Sequence, residues 1–136
     1  MLYANNLLRS PYYWRPFYTP LGLEYETVDV LTGNVITRKE YDNKSRLIKV
    51  SEYIYGSVTE YEYDYLDRII SETGATTASY CKTYTYDLAG NRTGFTLEKG
   101  GETVNNINYS YDNLNRLSTV SENGAANEFF YMLLYR

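Results

Sequence analysis

From residue 24 onward the chain alternates with a period of two. In "YEYDYLDRII" (61–70), Tyr61 and Tyr63 fall on one face of an extended chain, and Glu60 and Glu62 fall on the other. The same alternation puts Tyr84 with Tyr86 and Tyr109 with Tyr111. Period-two runs of this kind predict half-buried strands. Each run stops at an Asp followed by a few turn-forming residues, and a second strand-forming run then begins. Asp and Asn at the head of a turn accept hydrogen bonds from the backbone N–H groups just ahead, so each stop predicts a tight hairpin. No helical period emerges in 24–136.

The unit repeats. "YDNKSRL" begins at 41, "YDYLDRI" at 63, "YDLAGNRT" at 86 and "YDNLNRL" at 111. Tyr41-Asp42, Tyr63-Asp64 and Tyr111-Asp112 are followed by Arg46, Arg68 and Arg116, each five positions after its Tyr. In the third copy, Tyr86-Asp87, "LAGN" reads as a one-residue insertion that puts Arg92 at the sixth position. A tight turn ending in a residue of positive φ suits Gly90 and Asn115 better than Ser45 and Asp67. The register this implies sets Tyr41 opposite Leu47, Tyr63 opposite Ile69, Tyr86 opposite Thr93 and Tyr111 opposite Leu117. Such cross-strand pairs contribute roughly 0.2–1 kcal/mol each. An exposed Asp–Arg pair at the turn adds about 0–1 kcal/mol, and more if the Arg stacks on a Tyr of the next hairpin. A lone hairpin is marginal in water, so stability must come from unit against unit.

Gly-containing links at 55–57, 72–79, 98–103 and 121–127 separate the units, and "LTGN" (31–34) turns a hairpin that feeds the first of them. Residues 1–23 hold all three prolines among Tyr12, Tyr13, Trp14, Phe17 and Tyr18, and are expected to form an irregular lead segment. A degenerate fifth copy is expected at Tyr131, with Met132 in place of Asp and Arg136 five positions on. Because the chain stops at that Arg, it reads as a fragment or remnant of a longer array.

Composition narrows the chemistry. Tyr supplies 18 residues against four Phe and one Trp, which suits amphipathic sheet faces better than a dry core. There is no His, so the commonest general base and metal ligand is missing. Cys81 is the single Cys and reads as a small strand filler. Carboxylate pairs such as Asp64 with Asp67 or Glu60 with Glu62 sit on turns or solvent faces, and a motif repeated in every unit is architecture. No catalytic residue, cofactor or metal ligand is expected; "DNLN" and "DLAGN" match no calcium loop. Sequons occur at Asn43, Asn91 and Asn108 and matter only in a glycosylating host. A net charge of −4 opposes nucleic-acid binding. No run is apolar enough to span a membrane, and the N-terminus carries no signal-peptide pattern.

The pattern Tyr-x-Tyr-Asp, short turn, Arg, then Leu, Ile or Thr resembles the YD repeat of the Rhs (rearrangement hotspot) proteins. It is clearest in "YTYDLAGNRT" and "YSYDNLNRL" and covers about 37–136. The resemblance implies an all-β fold of consecutive antiparallel hairpins forming a curved, open sheet. In that family such sheets spiral into shells that enclose a toxin domain, or in teneurins support adhesion, and the proteins are secreted or on the cell surface. The chain lacks the segment that closes such arrays and lacks a toxin-like domain. Eight strands span about 38 Å at ~4.8 Å each, too little to enclose a cargo. The expected role is therefore a non-enzymatic sector of a shell. Its partners would be the remainder of a larger chain, or other copies meeting at open sheet edges. The alternative is a Tyr-rich carbohydrate-binding module with cell-wall glycans as ligand, but the recurrent Asp-turn-Arg is foreign to such modules. They favour adjacent aromatics with Gly, and here "YY" occurs only at 12–13 and "FF" only at 129–130.

Overall fold

The computed structural model describes residues 13–75 and 78–130. Eleven strands follow one another in chain order through one open antiparallel sheet. They are β1 (Trp14–Tyr18), β2 (Glu24–Asp29), β3 (Val35–Tyr41), β4 (Leu47–Glu52), β5 (Ser57–Tyr63), β6 (Ile69–Ala75), β7 (Ser79–Tyr86), β8 (Arg92–Lys99), β9 (Glu102–Tyr111), β10 (Leu117–Glu122) and β11 (Ala125–Glu128). The chain divides into two compact units, 1–60 and 61–136.

In the first unit, Thr37, Lys39 and Tyr41 share one face of β3, opposite Glu52, Val50 and Leu47 of β4. Arg38 and Glu40 take the other face, and Arg38 reaches Glu26 of β2 at 2.7 Å. In the second unit the tyrosine face carries the row Tyr84, Phe95 and Ile107 across β7, β8 and β9. The opposite face carries Ser71, Thr83, Thr96 and Asn106 in a row from β6 to β9. Alternation thus sorts half-buried rings from hydroxyls and amides, as period two demands.

Nothing covers either face among the described residues. Ile36, 8% exposed, is the single buried hydrophobic side chain there, and no described side chain is fully buried. The sheet is one layer, and its cohesion lies in strand pairing and in side chains lying along it.

Residues 14–18 correct the expectation of an irregular lead. They form β1, paired with β2 from Trp14 opposite Asp29 to Tyr18 opposite Glu24. Pro16 is tolerated because β1 is an edge strand. Residues 1–12 and the proposed fifth copy at Tyr131–Arg136 lie outside the described residues.

A second correction concerns register. Each repeat hairpin with a described register carries a bulge just beyond the turn: between Phe17 and Tyr18, Glu40 and Tyr41, Thr85 and Tyr86, and Leu117 and Thr119. Tyr41 does face Leu47 and Tyr111 faces Leu117, but Tyr86 faces Arg92 rather than Thr93. The bulge leaves one residue unpaired and re-aims the strand.

On the opposite side of the sheet the links are shorter. Gly100-Gly101 and Asn123-Gly124 both have positive φ at each residue, the two-residue hairpin turn that matches strand twist. Gly74 of β6 lies beneath the Tyr80 ring, where a methyl group would overlap the ring carbons. Gly74→Ala should therefore lower stability by about 1–3 kcal/mol. In a urea titration the midpoint falls while the slope is unchanged.

Candidate functional site

The recurrent constellation is the repeat turn. Asp42 N–H donates to Arg46 O (2.9 Å), Ser45 N–H donates to Asp42 O (3.0 Å), and Arg46 N–H returns to Asp42 Oδ1 (3.0 Å). Asp64 repeats the pattern with Asp67 and Arg68, and Asp112 repeats it with Asn115 and Arg116. The fourth position has positive φ every time: Ser45 65°, Asp67 63°, Gly90 93° and Asn115 58°. Ser45 and Asp67 pay conformational strain there that Gly90 avoids.

The third copy corrects the reading of Asp87. Its turn has no insertion. Asp87 N–H donates to Asn91 O (3.0 Å), Asn91 N–H donates to Asp87 Oδ1 (2.8 Å), and Asn91 Nδ2 reaches Asp87 Oδ2 (3.0 Å). Asn91 fills the place that Arg46, Arg68 and Arg116 fill elsewhere. Arg92 falls on the next strand position, with its guanidinium 4.9 Å from the Tyr84 ring centre. Three Asp–Arg pairs therefore occur, not four, each with Nε donating to Oδ2 at 2.7 Å.

A fifth turn of the same kind escaped the sequence pattern. Thr19 N–H donates to Leu23 O (2.8 Å), Gly22 N–H donates to Thr19 O (2.9 Å), and Leu23 N–H returns to Thr19 Oγ1 (3.2 Å). Thr19 stands for Asp, Gly22 holds the positive φ of 78°, and Leu23 stands for Arg. The available signal was Tyr18, 23 positions before Tyr41.

The turns are stitched to their neighbours. The Tyr41 hydroxyl donates to Glu24 O (2.7 Å), Tyr86 to Ile69 O (2.8 Å) and Tyr111 to Arg92 O (2.8 Å). Each ring reaches back to the hairpin before it. Arg68 reaches forward, with Nη1 donating to Asp87 O (3.2 Å) and its guanidinium 4.5 Å from the Tyr86 ring centre. Asn91 Nδ2 donates to Asn115 Oδ1 at 3.2 Å. Tyr61 and Tyr84, Tyr63, and Tyr109 continue the tyrosine face behind these turns.

Electrostatics follow from the turns. Desolvation pushes the Asp42 and Asp64 carboxyls upward, but N–H donors from the turn backbone and the paired Arg outweigh it and hold both below the usual range. Asp87 is lowered chiefly by the Asn91 amide, and Asp112 chiefly by the Arg116 backbone N–H. Behind the turns, Glu72 accepts from Tyr80 (3.0 Å) and from Lys82 Nζ (2.7 Å). Burial, then Glu72, raises Tyr61, and burial raises Tyr84. The four turn carboxylates, Glu72 and Tyr84 are each engaged with a neighbouring side chain or backbone group. Among the described residues, no three His, Cys, Asp or Glu converge as a metal site would require. Cys81 is half-buried on β7, between Thr73 and Glu98.

No protein-family model matches this chain. No curated protein matches it either. Among solved structures, a crystal structure of TcdB2-TccC3-TEV aligns over 82% of this chain and 8% of that chain, with 9% identity and a TM-score of 0.40. The chain thus spans under a tenth of that structure's length. No helix among the described residues is long and apolar enough to cross a membrane.

Two measurements test the turns. Tyr86→Phe removes one interhairpin hydrogen bond and should cost about 0.5–1.5 kcal/mol in a urea melt. The second is pH dependence. The four turn Asp groups have folded pKa values below the unfolded value of about 3.9, so their contribution is complete above the unfolded value and lost as pH falls through the folded ones. Urea midpoints should be flat from pH 7 to about 5 and fall steeply below about 4. Asp64→Asn should flatten part of that fall.

Proposed function

We propose that this chain is a non-enzymatic structural sector of an Rhs-type YD-repeat wall, part of a larger secreted or cell-surface assembly that encloses or presents a toxin or adhesion domain. One observation carries the reading. The same hydrogen-bonded turn recurs five times on one side of a one-layer sheet, and tyrosine or arginine ties hairpin to hairpin. An enzyme concentrates unusual groups at one place, whereas this chain distributes one device along its length. A sheet with both faces uncovered suits a wall with an inside and an outside.

The carbohydrate-binding reading has less support. Arg68 covers one side of the Tyr86 ring and Arg92 one side of Tyr84, while the most exposed tyrosine rings among the described residues, Tyr55 and Tyr65, sit apart in turns rather than in a row along the sheet. The hydroxyls of Tyr41, Tyr86 and Tyr111 are spent on backbone carbonyls.

An immunoblot of source cells and culture fluid, with an antibody to this segment, tests the proposal. The expected band lies far above the mass of 136 residues. A band at the mass of this chain alone would overturn enclosure. A glycan array is expected to give no sugar-competable signal; such a signal would favour the module reading instead.

A further inference from the structure

One turn on the link side of the sheet carries a reactive pair. Asn123-Gly124 closes the hairpin of β10 and β11 and is exposed at both residues. No other Asn of the chain precedes Gly. Both residues hold positive φ, 48° at Asn123 and 89° at Gly124. Gly124 has no side chain to screen its backbone nitrogen, and a methyl group placed on it would meet nothing within 4 Å. The turn is therefore open to water and sterically unguarded.

The Asn123 side chain is held by its oxygen. Asn106 N–H on β9 donates to Asn123 Oδ1 at 2.9 Å, and Asn123 N–H donates back to Asn106 O at 2.8 Å. A donor on Oδ1 draws electron density from Cγ and stands where negative charge gathers when a nucleophile adds there. The amide nitrogen is treated differently at other Asn residues of this unit. Nδ2 of Asn91 is held by Asp87 and Asn115, that of Asn105 by Glu122, and that of Asn108 by Asn106. Among the described residues Asn123 Nδ2 has no partner, so no contact there retains it as a leaving group.

We propose that Asn123 is a site of spontaneous covalent modification, in which the Gly124 backbone nitrogen attacks Asn123 Cγ and water completes the conversion of the residue to Asp and isoaspartate. The bond from Gly124 N to Cγ forms and the Cγ–Nδ2 bond breaks. Nδ2 leaves as ammonia, taking the proton that Gly124 N gives up. The cyclic imide so formed then takes up one water. Opening between Cγ and the nitrogen gives Asp. Opening between the main-chain carbonyl and the nitrogen gives isoaspartate, whose backbone runs through Cγ. Nucleophile and electrophile are adjacent in one turn, so no encounter has to be organised.

The two products part ways in this fold. Asp keeps an oxygen on the Asn106 N–H, now as a charge-assisted bond. Isoaspartate adds a carbon to the main chain of a two-residue turn whose twist matches its strands. It also turns the side-chain acceptor of that N–H into a backbone carbonyl. Isoaspartate therefore loosens β11 from β10, and Asp does not. The reaction uses no group outside β9 and this turn, and stands apart from the role proposed above.

Incubation of the full chain at mildly alkaline pH and body temperature, followed by peptide mass spectrometry with electron-transfer fragmentation, tests this. The peptide holding Asn123 should gain the mass of an amide-to-acid change within days, take up oxygen from labelled water, and contain both products. Hydroxylamine should trap the imide. Asn123→Gly, which copies the Gly100-Gly101 turn, should fold and show no such gain. In the isoaspartate fraction the Phe129 N–H, which donates to Ser118 O at 2.7 Å in the native hairpin, should exchange at least about tenfold faster. Asn123→Asp should leave that exchange unchanged. The proposal is overturned if Asn123 stays an amide in the folded chain, or if Asn91, Asn105 or Asn108 is converted as fast. It is also overturned if the isoaspartate fraction keeps native Phe129 exchange.

Discussion

The side-chain oxygen at the head of each repeat turn, a carboxylate in four and the Thr19 hydroxyl in one, sets the geometry downstream of it. Asp42 Oδ1 accepts from the N–H groups of Lys44 and Arg46, and Asp64 and Asp112 do the same two and four residues on. Satisfying those donors within so few residues forces the fourth position into positive φ. The strand that follows must then take up an extra residue before regular pairing resumes, hence the bulge. Its place just before that Asp sets the repeat Tyr at the turn end of its own strand, from which the Tyr41, Tyr86 and Tyr111 hydroxyls reach a carbonyl of the preceding hairpin. One side-chain acceptor therefore governs loop, register and the junction between neighbours.

With no covered face, the sheet cannot draw much on buried area. Its rings and long side chains lie along the surface and shield one another only in part. Arg68 shows the economy of this arrangement: a single guanidinium closes its own turn on Asp64, contacts the Asp87 carbonyl and covers the Tyr86 ring. Such contacts reach one hairpin away and no further, so cohesion is a sum of neighbour terms, as in other repeat proteins.

Much of this was legible in the sequence. Period-two tyrosines marked strands, Asp marked where they stop, and Gly90 and Asn115 marked positive φ. What failed did so for a shared reason. The pattern was anchored on residue identity, whereas the turn is defined by distance from its first acceptor. Counting to Arg92 produced a false insertion, because Asn91 meets the same acceptor with an amide. Requiring Asp hid the turn at Thr19, where a hydroxyl serves and the prolines suggested irregular chain. The bulges were invisible because the residues that occupy them, Tyr25, Ile48, Thr93 and Ser118, share no chemistry.

The strict chain order of β1 to β11 has a mechanical side. When a chain whose strands are all sequence neighbours is pulled from its ends, the load falls on one hairpin at a time. Hydrogen bonds then break singly, as in opening a zip, rather than together in shear. Each hairpin released frees roughly 80 Å of chain. A sheet built this way yields stepwise at low force along its strands' order and can re-form from whatever hairpins remain. It is opened more easily by drawing out its thread than by tearing it across its strands.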